Sequence, residues 1–100
     1  MKTRTFVILT ILLVGCTSPG AYHRSRANAD RAASIDVGQA KQEIVAILGA
    51  PDFREASLED GRKIEALSWL TNYDHHIYTR ITFEDEIAIR IEEYEGPAPQ

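Results

Sequence analysis

The chain offers few side chains of the kinds that carry out chemistry. It has one cysteine, Cys16, and one pair of adjacent histidines, His75 and His76. Neighbouring residues of a strand point to opposite faces, and no cysteine or suitably spaced carboxylate completes a metal site around these histidines. No serine, histidine and acid stand together in a catalytic motif. The sequence therefore predicts a non-enzymatic protein with no catalytic residues, no metal and no cofactor.

Two acidic runs are the remaining candidates for ion binding. They cover residues 84–86 and 92–95. Both could bind a cation, but their positions on a turn and near the C-terminus favour a solvated edge. Gly38 and Gly49 do not form a phosphate-binding loop, because each of them flanks a helix.

The first fifteen residues have the organisation of a targeting segment. Lys2 and Arg4 form a positive region, and residues 6–14 form an apolar one. The apolar run is shorter than the roughly 20 residues that a membrane-spanning helix needs. Residues 1–15 are therefore predicted to be a removable signal peptide.

The end of this segment resembles the lipobox of bacterial lipoproteins. Leu13-Val14-Gly15-Cys16 places a small residue before a cysteine at the right distance from the apolar run. The resemblance implies cleavage between Gly15 and Cys16, and a covalent diacylglycerol and N-acyl chain on Cys16. An anchor with two or more acyl chains holds a protein stably on a membrane. Thr17, where an aspartate would retain the protein in the inner membrane, favours the outer membrane and a domain facing the periplasm. The alternative is an ordinary signal peptide followed by a free cysteine.

The charge of the chain argues against nucleic acid as a partner. The sequence has 11 basic and 15 acidic residues, a formal net charge of −4, and two of the basic residues lie in the signal peptide. A phosphate-binding surface needs a basic face. An acidic, soluble surface is the simpler interpretation.

The remainder of the chain divides into a tether, one domain and a tail. Residues 16–27 contain the turn signal Ser18-Pro19-Gly20 without apolar periodicity, which predicts a lipidated tether. Residues 28–96 are predicted to form the domain. Residues 97–100 are predicted to be a flexible tail.

Two short helices are predicted at the start of the domain. The first covers residues 28–35, with Asn28 as its N-cap. The second is amphipathic and ends at Gly49, which can adopt the left-handed conformation of a C-terminal cap. Its apolar stripe has helical spacing and consists of Ile44, Ile47 and Leu48.

Three strands are predicted after the helices, over residues 64–73, 77–83 and 87–92. Residues 84–86 are predicted to form a three-residue turn, because that length sets Ile81 opposite Ile89 and keeps the apolar faces together. The predicted inner face of the third strand is Ile87, Ile89 and Ile91. Residues 56–59 are either extended or part of a loop.

These elements predict an α+β domain in which two N-terminal helices pack on a three-stranded antiparallel meander, in the order ααβββ. One face of the sheet would take the helices and the other would remain in water. On the wet face, the predicted register sets Arg80 directly opposite Arg90, beside Tyr78. Like charges in this arrangement repel, so either Glu92 relieves the pair or the pair meets an anionic partner or lipid headgroup. Tyr78, Arg80 and Arg90 are therefore the candidate contact residues.

The pattern as a whole resembles the SmpA/OmlA (BamE-like) family of outer-membrane lipoproteins. The resemblance covers residues 28–94 and is most specific at Gly-x(10)-Gly-x-Pro, from Gly38 to Pro51, which Trp69 follows in the first strand. It implies the ααβββ fold, which β-lactamase inhibitory proteins contain in duplicate. It also implies a scaffold or accessory role in outer-membrane protein assembly or envelope integrity. The implied partners are the inner leaflet of the outer membrane and subunits of the β-barrel assembly machinery. The alternative is a periplasmic protein-binding or inhibitor module of the same fold.

Overall fold

The computed structural model describes the backbone of residues 18–99 and the side chains from residue 20 onwards. The elements are α1 (Ser18–Ala32), α2 (Lys41–Leu48), β1 (Phe53–Glu59), β2 (Arg62–Asn72), β3 (Ile77–Glu84) and β4 (Ile87–Glu95). The strands form one antiparallel sheet in the order β1-β2-β3-β4. This confirms the α+β class. Within the described range, no helix has the length and apolar character needed to cross a membrane.

The sheet has four strands, where the sequence predicted three. The additional strand, β1, pairs with β2 along its whole length and ends with Glu59 opposite Arg62. Asp60 and Gly61 form the turn between them, and both have positive φ, as a type I′ turn requires. All seven residues of β1 are exposed. The strand therefore has no alternation of apolar and polar residues for the sequence to reveal, and backbone pairing alone defines it.

Helix α1 begins at Ser18, so most of the predicted tether is helical. The side chains on its packed face are small: Ala21, Ser25, Asn28 and Ala32. This stripe has helical spacing but little hydrophobicity, which is why the sequence pattern indicated a linker. Asn28 is not an N-cap but lies inside the helix, and its Nδ2 donates a hydrogen bond to the Leu70 carbonyl over 3.0 Å.

Helix α1 crosses the end of β2 that β1 does not cover. Ala21 packs against Leu70 near the start of the helix, while Ala32 packs against the main core near its end. Since no β1 residue lies beside Leu70, its N–H donates to Asp52 Oδ2 over 2.8 Å instead. With the Asn28 bond to the carbonyl, both main-chain groups of Leu70 are satisfied at this buried edge.

The main core lies between α2 and the inner face of the sheet, which is the face that carries Leu67 and Trp69. The core residues are Ile35, Ile44, Leu48, Leu67, Trp69, Ile81, Phe83 and Ala88. The predicted second helix and its glycine cap are confirmed, with φ at Gly49 of 83°. The indole N–H of Trp69, which is fully buried, donates to the Gly49 carbonyl over 3.0 Å. The C-terminal end of α2 is thereby fixed to the sheet.

The N-terminal end of α2 is fixed by β4 rather than by a capping side chain. Ala40, at the N-cap position, makes no side-chain hydrogen bond to the helix. The N–H of Lys41 donates instead to the Glu86 carbonyl over 2.8 Å, and Ala40 forms an isolated antiparallel bridge with Ile87. The segment before α2 therefore covers the beginning of the β4 edge.

The turn between β3 and β4 is shorter than predicted. Only Asp85 and Glu86 form it, with φ values of 50° and 74°, and Glu84 pairs with Ile87. A two-residue turn followed by a regular ladder would set Glu84 opposite Ile87 and separate the apolar faces, which is why the sequence favoured three residues. A bulge in the ladder removes that objection.

The bulge gives β4 one extra residue and changes its inner face. Phe83 faces Ala88, and the register shifts immediately afterwards, so that Ile89 has no partner in the ladder. Ala88 is therefore buried, whereas Ile87 and Ile89 are 42 % and 43 % exposed. The predicted inner face was wrong at these two isoleucines, while Ile91 does pack against the core.

Candidate functional site: the outer face of the sheet

Polar and aromatic side chains meet on the outer face of the sheet, which is the face opposite to α2. It carries the residues that alternate with Leu67 and Trp69 on β2, and their neighbours on the other strands. The sequence predicted that this face stays in water. That prediction was wrong for its centre, where the buried side chains are Ser68, Leu70, Tyr78 and Thr82.

Three aromatic rings form a row across this face. Phe53 of β1 packs on Tyr78 of β3 with ring centroids 5.1 Å apart, and Tyr78 stacks on Tyr94 of β4 at 5.7 Å. The Tyr94 hydroxyl donates to the Ser68 hydroxyl over 3.0 Å. Aromatic pairs of this kind contribute about 0.5–1.5 kcal/mol beyond the area that they bury. Phe53 is 41 % exposed, so the row opens to solvent at the β1 end.

The residues after β4 return over Tyr78. The N–H of Gly96 donates to the His76 carbonyl over 2.9 Å, and the Tyr78 hydroxyl donates to the Pro97 carbonyl over 2.9 Å. A Cβ on Gly96 would lie 2.7 Å from the Tyr78 ring, so a larger residue could not approach this closely without a shift. The start of the predicted flexible tail is therefore in contact with the sheet.

Arg80 lies beside this row and is held from two sides. Because of the bulge, it pairs with Glu92 and not with Arg90. Its guanidinium donates to the Glu92 carboxylate over 2.7 and 2.8 Å and lies 4.7 Å from the centroid of the Tyr94 ring. Arg90 is 3.7 Å from the same carboxylate. The predicted direct pairing of the two arginines was wrong, and Glu92 lies between them.

Two adjoining depressions run along the outer face. One, of about 320 Å³, lies at the aromatic row, and the other, of about 420 Å³, extends towards the β1–β2 turn. Glu55, Ala66 and Arg80 line both, so we treat them as one feature and call it the outer groove. Its walls carry opposite charges, with Glu55 and Glu59 on β1 facing Arg80 and Arg90 across the sheet.

A buried carboxylate on the inner face is the feature that the sequence analysis missed. Glu65 is 1 % exposed, and its oxygens accept hydrogen bonds from Lys41 Nζ over 2.5 Å and from Arg54 Nε over 2.6 Å. Burial raises the pKa of Glu65, but the bonds from the two cations outweigh it, and the pKa falls below its ordinary value. The alternation of residues along β2 could have indicated this burial, because Glu65 lies on the same face of the strand as Leu67 and Trp69. The three charges join α2, β1 and β2, which indicates a structural role.

The three predicted contact residues differ in their access to solvent. Tyr78 is 2 % exposed, so a partner could reach its ring only if the residues after β4 moved. Burial, with the charge of Asp52 as the second cause, raises the pKa of the Tyr78 hydroxyl above its ordinary value. The side chain of Arg80 is 36 % exposed and that of Arg90 is 60 % exposed.

The remaining predicted residues lie away from this face or outside the described part of the chain. His75 and His76 lie in the turn between β2 and β3. Among residues 18–99 there is no group of three or more histidine, cysteine, aspartate or glutamate side chains that could hold a metal ion. Gly15 and Cys16, predicted for cleavage and lipidation, lie outside the described residues, as does the predicted signal peptide.

Comparisons with protein-family models, with curated proteins and with solved structures found no match to this chain. What the outer face can bind is therefore inferred from its own residues. It offers aromatic surface, one well-held guanidinium and a groove with walls of opposite charge. These groups are suited to binding a partner.

Proposed function

We propose that this chain is a non-enzymatic lipoprotein of the outer membrane, of the SmpA/OmlA (BamE-like) type, that faces the periplasm. Its role would be that of a scaffold or accessory protein in outer-membrane protein assembly or envelope integrity. The observation that carries the proposal is the segment that ends in Leu13-Val14-Gly15-Cys16, behind a positive and an apolar region. Acyl chains on Cys16 would attach the domain to the inner leaflet.

The position of α1 is consistent with a domain that lies directly against the membrane. The helix begins at Ser18, two residues after Cys16. Two residues of extended chain span at most about 7 Å, so an acylated Cys16 would hold the start of α1 against the bilayer. Arg24 and Arg26 are exposed in the first part of this helix, where they would be close to anionic headgroups.

The finer resemblance to the ααβββ fold also belongs to this proposal. Two helices precede an antiparallel meander, and the carbonyl of Gly49, directly after α2, accepts a hydrogen bond from Trp69 of the sheet. Strand β1 is additional to the implied three strands. It enlarges the outer face, which is the surface that we assign to a partner such as a subunit of the β-barrel assembly machinery.

Acyl labelling tests the anchor. The full chain, expressed in a Gram-negative bacterium with a radiolabelled fatty acid, should take up label and sediment with the outer membrane. The Cys16→Ser variant should lose both properties, while a Thr17→Ser variant should keep them. An unlabelled wild-type chain, or label that stays in the inner membrane, would contradict the proposed anchor or its location.

In-cell crosslinking tests the partner. A photo-crosslinking residue at Arg90, whose side chain is 60 % exposed on the outer face, can reach a partner that the buried Tyr78 cannot. The same probe at the exposed Glu43 on α2 is the matched control. A barrel-assembly subunit as the adduct at position 90 alone would support the scaffold role.

A periplasmic protein-binding or inhibitor module of the same fold is the second candidate. It is favoured by the aromatic row, in which Phe53 is 41 % exposed and Tyr94 is half-buried. Exposed aromatic side chains are enriched in the centres of protein interfaces. A soluble enzyme as the adduct at position 90 would favour this candidate over the assembly role.

A further inference from the structure

The outer groove contains a buried hydroxyl for which the described residues provide no hydrogen-bond partner. Thr82 is 4 % exposed and lines the part of the groove that has a volume of about 420 Å³. Its neighbour on the same strand, Thr79, is equally buried, and its hydroxyl lies 3.1 Å from that of Thr71. Within residues 18–99 the Thr82 hydroxyl has no such partner. Most buried hydroxyls in proteins are satisfied, so a polar ligand in the groove would explain the exception.

Among the residues that the structure describes, Glu55 and Glu59 on one wall of the groove, and Arg90 on the other, have no close ion pair. Within the described part of the chain, Glu55 has no cation within 4.0 Å, and Glu59 contacts only the Ser57 hydroxyl, over 3.4 Å. On the opposite wall, the Arg90 guanidinium is 3.7 Å from the Glu92 carboxylate. That carboxylate already accepts hydrogen bonds from Arg80. Separated charges of opposite sign favour a ligand that carries both.

The width of the groove sets the length of that ligand. Glu55 on β1, Ala66 on β2 and Thr82 on β3 lie in one cross-strand row that continues to Arg90 on β4, so two strand spacings separate Glu55 from Thr82. Two strand spacings amount to about 10 Å. An extended chain of three residues has the same length, at roughly 3.3–3.6 Å per residue.

We propose that the outer groove binds a short peptide with free termini. The ammonium group would lie against Glu55, and the carboxylate against Arg90. The Thr82 hydroxyl would donate to the carboxylate. The proposal goes beyond the anchor and the scaffold role and does not depend on either.

Titration with trialanine tests this proposal. The isotope-labelled full chain, held in micelles of an uncharged detergent at pH 7, would be followed through its amide chemical shifts. We expect the amides of Ala66 and Thr82 to shift and to saturate with a dissociation constant of about 1 mM or tighter. N-acetyl trialanine and trialanine amide each lack one terminal charge. Each should bind at least about threefold more weakly.

Three variants assign the contacts. Thr82→Val removes the hydroxyl but keeps the shape of the side chain, so it should weaken trialanine binding without unfolding the sheet. Glu55→Gln should weaken the binding of trialanine amide, which keeps its ammonium group, and leave the binding of N-acetyl trialanine unchanged. Arg90→Gln should weaken the binding of N-acetyl trialanine, which keeps its carboxylate, and leave the binding of trialanine amide unchanged. Glu93→Gln, an exposed carboxylate outside the groove, is the control. The proposal is overturned by shifts that map elsewhere, by equal affinity for the three peptides, or by unchanged binding in Thr82→Val and Glu55→Gln.

Discussion

Replacing Glu65 with glutamine removes a buried negative charge and leaves two cations facing a neutral amide. The carboxylate is 1 % exposed and accepts from Lys41 Nζ over 2.5 Å and from Arg54 Nε over 2.6 Å. Glutamine keeps the length of the side chain, so the substitution tests the charge rather than the packing. Its amide group must also present an NH₂ to one of the two cations.

The exposure of the two cations sets the expected magnitude. Breaking a fully buried ion pair by removing one partner costs about 3–5 kcal/mol. The side chain of Lys41 is 20 % exposed and stays close to the site, but that of Arg54 is 64 % exposed and can turn into water. We therefore expect Glu65→Gln to lower the free energy of unfolding by about 2–3 kcal/mol, which is below that range because solvent screens the exposed Arg54. This is a large fraction of the roughly 5–15 kcal/mol of a typical small domain.

The same site predicts how stability changes with pH. Burial raises the pKa of Glu65, but Lys41 and Arg54 lower it by more, so the folded-state pKa lies below the ordinary value of the unfolded chain. The stabilisation is then fully present above the unfolded pKa of about 4.3 and is lost as the pH falls through the lower folded-state pKa. The difference between the wild type and Glu65→Gln should therefore be constant near neutrality and shrink below about pH 4.

Urea unfolding followed by tryptophan fluorescence measures both effects. Trp69 is the only tryptophan in the sequence and is fully buried beside α2, so its emission reports the loss of the core. Glu93→Gln, at an exposed position, serves as the control. A loss of less than about 0.5 kcal/mol at pH 7, the range of ordinary surface substitutions, would refute the reasoning. So would an unchanged difference between pH 7 and pH 3.

Substitutions at four further positions test other parts of the structure. Asn28→Ala leaves a buried main-chain carbonyl of β2 without its donor and should cost about 1–3 kcal/mol in the same urea assay; an effect below about 0.5 kcal/mol would mean that α1 does not dock through this bond. Glu86 has a φ of 74° and an exposed ion pair with Lys63 Nζ at 2.9 Å, so Glu86→Gly is compared with Glu86→Ala, which loses the same pair but keeps the strained backbone. The glycine variant should be more stable than the alanine variant by about 1 kcal/mol, and Gly61→Ala at a φ of 78° should remove a similar amount; equal stability of the two variants at position 86 would contradict the turn assignment. Gly96→Ala should displace the segment that covers Tyr78, so that the hydroxyl, whose pKa burial raises, ionises at lower pH in an absorbance titration at high pH; an unchanged titration would show that this segment does not cover the ring.

The parts of the fold that could be predicted from the sequence are those with a local signal. Helix α2 was found because its apolar residues have helical spacing and Gly49 provides the cap. Strands were predicted over 64–73 and 77–83 because large apolar residues alternate there, and two of these residues, Trp69 and Phe83, lie in the core. In each case the pattern lies within a few neighbouring residues.

Residues 18–27 of helix α1 were assigned to a tether, and residues 56–59 of strand β1 were left open between strand and loop, because neither stretch has such a signal. The packed face of α1 is made of small residues, and it becomes a good surface only against the end of β2, where Asn28 meets the Leu70 carbonyl. All residues of β1 are exposed, and the strand exists through its pairing with β2. Helix α1 depends on a partner that is distant in sequence, and strand β1 carries no side-chain pattern that would identify it.

The candidate site divides in the same way. The sequence pointed to Arg80, Arg90 and Glu92 as one charged group on the outer face, but it could not give their register. The bulge at β4 decides that Glu92, and not Arg90, pairs with Arg80. A bulge has no reliable sequence signature here, because it depends on the twist of the whole β3–β4 pair and on the segment that covers the edge of β4.

Local patterns in the chain are enough to predict the α+β class, helix α2 with its glycine cap, and the apolar residues that form the core around Trp69. These follow from hydrophobic periodicity and from backbone preferences, which act within a few residues of the chain. The fourth strand, the ionic site at Glu65, the burial of Tyr78 and the outer groove with Thr82 become visible only in the folded sheet. The fourth strand is a neighbour of β2 in sequence but is defined by backbone pairing, and the other three features bring together groups from several elements. Their energies depend on burial and on distances that exist only once the sheet has formed.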